Sequence, residues 1–211
     1  IAAAHALAEI GSDEAISALL ERFTFTTEKM TLDADEKAIV HDLVVEFGAR
    51  AVPLIQKFIH EHDEVALAFR TLEELQSASE VAAFLRTMLD GLTSEEEDPG
   101  KICDLLLVAQ EVKEQTLAQV IVPLLADFDD TVRFATIETL DAIGAEVARD
   151  RMLEMLVNPD EESQRIKLRI LETLRNQNWE VRGFRKAVED LLPEGWYLDR
   201  AGKIKVLEQM A

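Results

Sequence analysis

Apolar residues return along this chain at spacings of three and four, the signature of helices that bury one face. The clearest stretch runs Asp130-Asp-Thr-Val-Arg-Phe-Ala-Thr-Ile-Glu-Thr-Leu-Asp-Ala-Ile-Gly144, and a second helix from Ala145 to Leu156 follows at once. The opening segment Ile1–Gly11 ends in the same way and is followed by Ser12–Arg22; Lys37–Gly48 and Ala49–Ile59 form a third copy. A helix that stops and reverses into a short connection favours a left-handed residue just past its end, which glycine supplies without a Cβ clash.

Self-similarity at this length predicts an all-α repeat architecture. Helix pairs are expected at about 1–23, 34–61, 63–91, 100–126, 130–157 and 161–193, in a single repeat domain over 1–211. The opening helix reads as a B helix that lacks its A partner, which suggests that an upstream helix or cap is missing. Pro193-Glu-Gly-Trp-Tyr-Leu-Asp-Arg-Ala-Gly202 breaks the pattern, so 194–211 is expected to cap the last repeat, as solenoids require. Two insertions interrupt the regularity. Phe23–Leu32 alternates apolar and polar residues and reads as extended; Leu92-Thr-Ser-Glu-Glu-Glu-Asp-Pro-Gly100 reads as an acidic, mobile loop.

Asp130, Val132, Arg133, Ala135, Leu140, Ile143 and Gly144 fall where the HEAT-repeat pattern has its Asp, Val-Arg, small residue and Leu-x-x-Ile-Gly. The chain therefore resembles the HEAT-repeat, armadillo-like superfamily, strongly over 127–157 and well over 1–23 and 34–60. Its Phe-x-Phe segment and Pro-Glu-Gly-aromatic-x-Asp ending are similar to those of bacterial HEAT proteins of unassigned function. The resemblance implies a right-handed α-α superhelix of five to six antiparallel A/B pairs, with B helices on a concave face. It also implies that the Asp and Arg hold neighbouring repeats in register.

Composition agrees with helix: 48% of residues are hydrophobic, and 8 Gly and 5 Pro are too few to punctuate an all-β fold. The net charge is −20, and all of it lies in residues 1–148, where 10 Lys and Arg face 30 Asp and Glu; residues 149–211 carry 12 of each. Such a body repels phosphate backbones, so neither nucleic acid nor an anionic membrane is an expected partner. No apolar run approaches the ~18 residues of a membrane span, and a cytoplasmic location is the default. The single cysteine, Cys103, excludes an intrachain disulfide and reads as a small buried thiol.

Candidate chemistry is sparse. His60-Glu-His-Asp-Glu64 gathers potential metal ligands, but on a helix His60 and His62 point apart, and only His60 and Glu64 share a face. The repeated His-Glu pairs of di-iron HEAT hydroxylases are missing, as are the glycine-rich phosphate loops and the nucleophile elbow. No catalytic residue, metal or cofactor is expected. Arg165 and Arg169 stand at i and i+4, opposite an apolar stripe of Ile166, Ile170 and Leu174. They are either an anion-binding patch or a solvated face paired with Glu161, Glu162 and Glu172. Trp179 and Trp196 are expected to close the last repeat.

The sequence therefore predicts a non-catalytic scaffold or adaptor that binds a basic protein or peptide on its concave face or acidic loops. Glu95, Glu96, Glu97, Asp98, Arg165 and Arg169 are the candidate contacts. The alternatives are a lyase- or glycosylase-like enzyme on a HEAT scaffold and a structural module of a longer protein.

Overall fold

The computed structural model describes residues 1–207, so the last four residues of the expected cap, 208–211, lie outside the described residues. The chain divides into two compact units, Ile1–Met88 and Leu89–Ala211. Helices dominate both, and the architecture is all-α with one small hairpin among the described residues.

The first unit holds α1 (Ala2–Ile10), α2 (Asp13–Leu20), α3 (Met30–Val45), α4 (Val52–Glu61), α5 (Ala66–Leu75) and most of α6 (Ala78–Leu89). Gly11, at φ 60, ends α1, and Ser12 caps α2 by accepting from the Ala15 amide at 3.2 Å. The opening helix thus has α2 as its pair partner, and α1 and α2 both pack on α3. Ile16, Leu19, Val44, Ile55, Ile59, Phe69, Leu72 and Leu85 are buried and form the apolar centre. At the start of α6, Glu80 accepts from the Ser77 amide at 2.9 Å and from its hydroxyl at 2.6 Å.

The Phe23–Leu32 insertion is shorter than its alternation suggested. Glu21–Thr24 forms a 3-10 turn, Phe25 is extended, and α3 already begins at Met30. A buried charge cluster accounts for this. Arg22 Nη2 donates to Asp33 Oδ1 at 2.6 Å, the Thr27 amide donates to the same oxygen at 2.9 Å, and Arg22 Nη1 donates to the Phe25 carbonyl at 2.9 Å. Asp33 sits in the first turn of α3, so the helix must start early to present it.

The second unit holds α7 (Pro99–Val112), α8 (Ala118–Ile121), continued by a 3-10 segment to Ala126, α9 (Asp130–Ile143), α10 (Arg149–Val157), α11 (Gln164–Asn176) and the short α12 (Arg185–Glu189). Strands β1 (Trp196–Leu198) and β2 (Ile204–Val206) pair antiparallel. α9 is central, packed on α7, on α11 and on the 3-10 continuation of α8. Val132, Ile137, Leu140, Leu105, Leu106, Ile170 and Leu174 are fully buried there. Side-chain amides fix the register between these helices. Gln110 Nε2 donates to Thr139 Oγ1 at 3.1 Å, Gln115 Nε2 donates to the Ile143 carbonyl, and Gln177 Nε2 donates to the Asp141 carbonyl at 2.8 Å. The Thr139 hydroxyl also donates to the Leu106 and Ala135 carbonyls, and the Asp141 carbonyl also accepts from the Gly144 amide, so these links join networks already in place.

Gly144, at φ 70, ends α9, with the Ala145 amide reaching back to the Leu140 carbonyl at 3.0 Å. α7 and α11 use the same left-handed exit, but through Lys113 at φ 53 and Asn178 at φ 56. The N-cap of α9 is Asp129, which accepts from Thr131 and Val132 amides at 2.7 and 3.2 Å; Asp130 lies one residue inside the helix and is exposed. α11 has no full-length successor. Val181 instead donates its amide to the Gly202 carbonyl at 2.9 Å, Glu180 bridges Lys203, and the hairpin packs on α11 and α12.

Two stability measurements follow. Asp33 is held at a pKa of about 2, chiefly by Arg22 and then by the Thr27 amide, against an ordinary value of 3.8. Its ionised form therefore stabilises the fold above pH 3.8, and that contribution disappears as the pH falls toward 2. Asp33→Asn should flatten this part of the acid-unfolding curve. Asp129→Ala should cost about 1 kcal/mol in urea unfolding, whereas Asp130→Ala should stay within about 0.5 kcal/mol.

Candidate functional site

The turn between α8's continuation and α9 carries an exposed aromatic. Phe128 is 75% exposed, while its neighbour Asp127 is only 7% exposed. The Asp127 carboxylate explains the contrast, since it accepts from the Ser94 amide at 2.9 Å, from the Ser94 hydroxyl and from the Asp129 amide at 2.9 Å. With this carboxylate turned inward, the next side chain along the extended turn points outward. Arg133 fixes the backbone from the other side. Its Nη1 donates to the carbonyls of Asp127 and Phe128, both at 2.9 Å, and its Nε donates to Glu161 Oε2 at 3.2 Å.

Cavities open on both sides of this ridge. One of about 600 Å³ is lined by Phe128, Arg133, Arg151, Glu154, Met155, Asn158, Asp160 and Glu161. The other, of about 300 Å³, is mostly apolar, with Leu89, Leu92, Val120, Pro123, Leu124 and Phe128 in its walls. Asp127 and Phe128 line both.

The Ser94 contacts tie the acidic loop to this edge. Within the loop the four candidate acids have different fates. Asp98 caps α7, accepting from the Gly100 amide at 2.8 Å, and Glu97 pairs with Lys101 at 3.1 Å. Glu95 and Glu96 are exposed, and their carboxylates have no partner among the described residues. Asp90 and Asp160, at the rims of the two cavities, are likewise exposed and unpaired among the described residues. The cations of the edge are committed: Arg133 to Glu161, Arg151 to Glu154 at 3.0 Å, Lys101 to Glu97. The field over the ridge is therefore negative.

Residues 1–24, spanning α1, α2 and the turn that follows them, match the family model described as PBS lyase HEAT-like repeat. The first helix pair is thus similar to a HEAT-like repeat. The match supports membership of the HEAT-repeat superfamily, and the all-α architecture agrees with it. No curated protein and no solved structure matches the chain.

The HEAT-like pattern explains where the other candidates go. Arg133, at the pattern's Arg position, joins its own helix pair to the next through Glu161. Arg165 and Arg169 are turned against α9. Arg165 stacks on Phe134 at 3.7 Å, and Arg169 donates to Asp141 at 2.8 Å with Glu138 at 3.7 Å. Their partners are on the neighbouring helix, whereas the sequence pointed to Glu161, Glu162 and Glu172. Trp179 is buried, and Trp196 is half-buried beneath the Arg175 guanidinium at 4.7 Å.

In the first unit, His60 meets the edge of Phe84, while His62 stacks on Phe58 at 4.1 Å with Nδ1 3.0 Å from the Phe58 carbonyl. No group of three or more His, Cys, Asp or Glu is placed to hold a metal among the described residues. Cys103 is half-buried where a buried thiol was expected; burial and then Asp129 push its thiol up, which keeps it protonated at neutral pH. No helix among the described residues is long and apolar enough to cross a membrane.

Ser94→Ala removes the hydroxyl from the Asp127 carboxylate and should cost roughly 1–3 kcal/mol, because a buried charge loses a donor. Limited proteolysis should then cut within 92–98 faster than in the unaltered chain, while Thr93→Ala leaves the cutting rate unchanged.

Proposed function

We propose that this chain is a non-catalytic, cytoplasmic protein-binding scaffold that recruits a basic protein or peptide to the Phe128 edge and its acidic loop. The observation that carries this reading is the exposure of Phe128. A phenyl ring presented to water on a fixed ridge, with open cavities on both sides, has the form of an interface anchor. The unpaired carboxylates of Asp90, Glu95, Glu96 and Asp160 supply the complementary charge for a cationic partner and favour its approach. Rigidity supports the same reading. The ridge is held by side-chain hydrogen bonds from Ser94 and Arg133, so little ordering cost remains at binding.

Immobilised full-length chain, washed at low and then high salt, should retain a small set of basic proteins that salt releases. Glu95→Lys combined with Glu96→Lys should reduce that set about tenfold, with the melting temperature unchanged. Retention unaffected by charge reversal, or co-purification of a small-molecule ligand in place of proteins, would remove the scaffold reading.

A further inference from the structure

This inference rests on the scaffold reading and concerns which side chains of the partner the Phe128 edge recognises. We propose that Phe128 seats an arginine of the partner, while an aliphatic side chain close to it in sequence enters the apolar cavity on the other side of the ridge.

The chain itself shows how its aromatics pair with cations. Arg22 lies over Phe25 at 4.5 Å, Arg165 over Phe134 at 3.7 Å and Arg175 over Trp196 at 4.7 Å. In each pair a guanidinium lies against the ring face, although Phe25 itself stays 51% exposed. Phe128 is more exposed than Phe25 and has no ring or cation partner among the described residues. The arginines nearest to it in the cavity wall are held elsewhere: Arg133 by two carbonyls and Glu161, Arg151 by Glu154. Neither can fold over the ring without giving up its own pairs. A guanidinium supplied by a partner would meet an uncovered ring.

The larger cavity has the chemistry for such a group. Asp160 offers an unpaired carboxylate at its rim, and Met155 offers a polarizable surface for the alkyl stem. A guanidinium is planar and weakly hydrated, so it stacks flat on the phenyl face while its edge donates to a carboxylate; an ammonium is a strongly hydrated point charge with no flat face to stack. The smaller cavity also has an exposed carboxylate at its rim, Asp90, but its walls are mostly apolar. Its Asp127 is occupied by Ser94 and Asp129, and Leu92, Val120 and Leu124 leave it suited to a branched aliphatic side chain. The two cavities share Phe128, so the two recognised side chains belong to one short segment.

The test uses a pool of synthetic nonapeptides carrying one Arg and one Leu at varied spacing in a Gly/Ser background, titrated into isotope-labelled full chain. Parallel pools replace Arg with Lys or with Glu. The Arg pool should shift the amides of Leu92, Leu124 and Phe128, and the Lys pool should bind more weakly by roughly three- to thirtyfold, because the ammonium lacks the planar, weakly hydrated face that stacks on the ring. The Glu pool should give no shifts at this edge. Phe128→Leu keeps an apolar ridge but lacks the ring, and should lower the Arg pool to the Lys level without changing the melting temperature. Equal binding of Arg and Lys pools, shifts confined to other surfaces, or indifference to Phe128→Leu would each overturn the arginine seat. If peptides fail here while basic proteins are still captured in a manner sensitive to Glu95 and Glu96, the seat falls and the scaffold stands. If neither binds, both fall.

Discussion

The guanidinium of Arg133 grips the carbonyls of Asp127 and Phe128 together with the carboxylate of Glu161, and the C-terminal unit depends on that grip. A helix pair cannot bury its apolar stripe alone, so each pair must meet the next in a fixed register. Arg133 sets that register from the first turn of α9. Its bond to Glu161 reaches into the following pair, and its bonds to the two carbonyls shape the turn before its own helix. The same group thus governs both how the repeats stack and how Phe128 is presented. Glu161 repeats part of the pattern, since it accepts from the Ser163 amide at 2.9 Å as Asp127 accepts from that of Asp129.

The fold was legible from apolar spacing because burial enforces it. The helices around Val132–Ile143 and Ile166–Leu174 stand where their stripes placed them. The glycine exits were legible only in part. Gly11 and Gly144 take the left-handed conformation, but α7 and α11 leave through Lys113 and Asn178. A lysine there carries no sequence signal, and the repeat pattern is weaker across the stretches 63–126 and 160–193, which contain these two exits. Asn tolerates the conformation through its short polar side chain, which is a faint cue at 178. The Phe23–Leu32 segment misled for another reason. Its alternation suggested a strand, whereas the buried carboxylate of Asp33 drew α3 back to Met30.

The candidate site was legible as charge and illegible as shape. Counting acids located the loop at 95–98, but charge alone does not distinguish a capping aspartate from a free one. Asp98 and Glu97 serve α7, and only the fold separates them from Glu95 and Glu96. Arg165 and Arg169 stood out as cations in an acidic chain, yet they face Phe134 and Asp141 on a helix that sequence spacing could not bring to them. Phe128 drew no attention because it interrupts no pattern. A sequence signal existed in Asp-Phe-Asp-Asp before a helix, where an aromatic lies between a buried acid and a cap and so has nowhere to turn but outward.

The hairpin of β1 and β2 changes the kind of surface at its end of the C-terminal unit. Successive helix pairs present one another with similar ridges and grooves, and similarity of that kind invites copies to add on without limit. Strands offer a backbone edge instead. Arg185 reaches the Asp199 carbonyl at 2.9 Å beside the end of β1, while Val181 and Glu180 occupy backbone positions along the opposite arm. Some of the carbonyls along this edge are already taken, among them those of Asp199 and Gly202. The hairpin therefore replaces the ridge of a helix pair with a short backbone edge, and a surface of that kind is read by hydrogen bonds where a helix is read by the fit of its side chains.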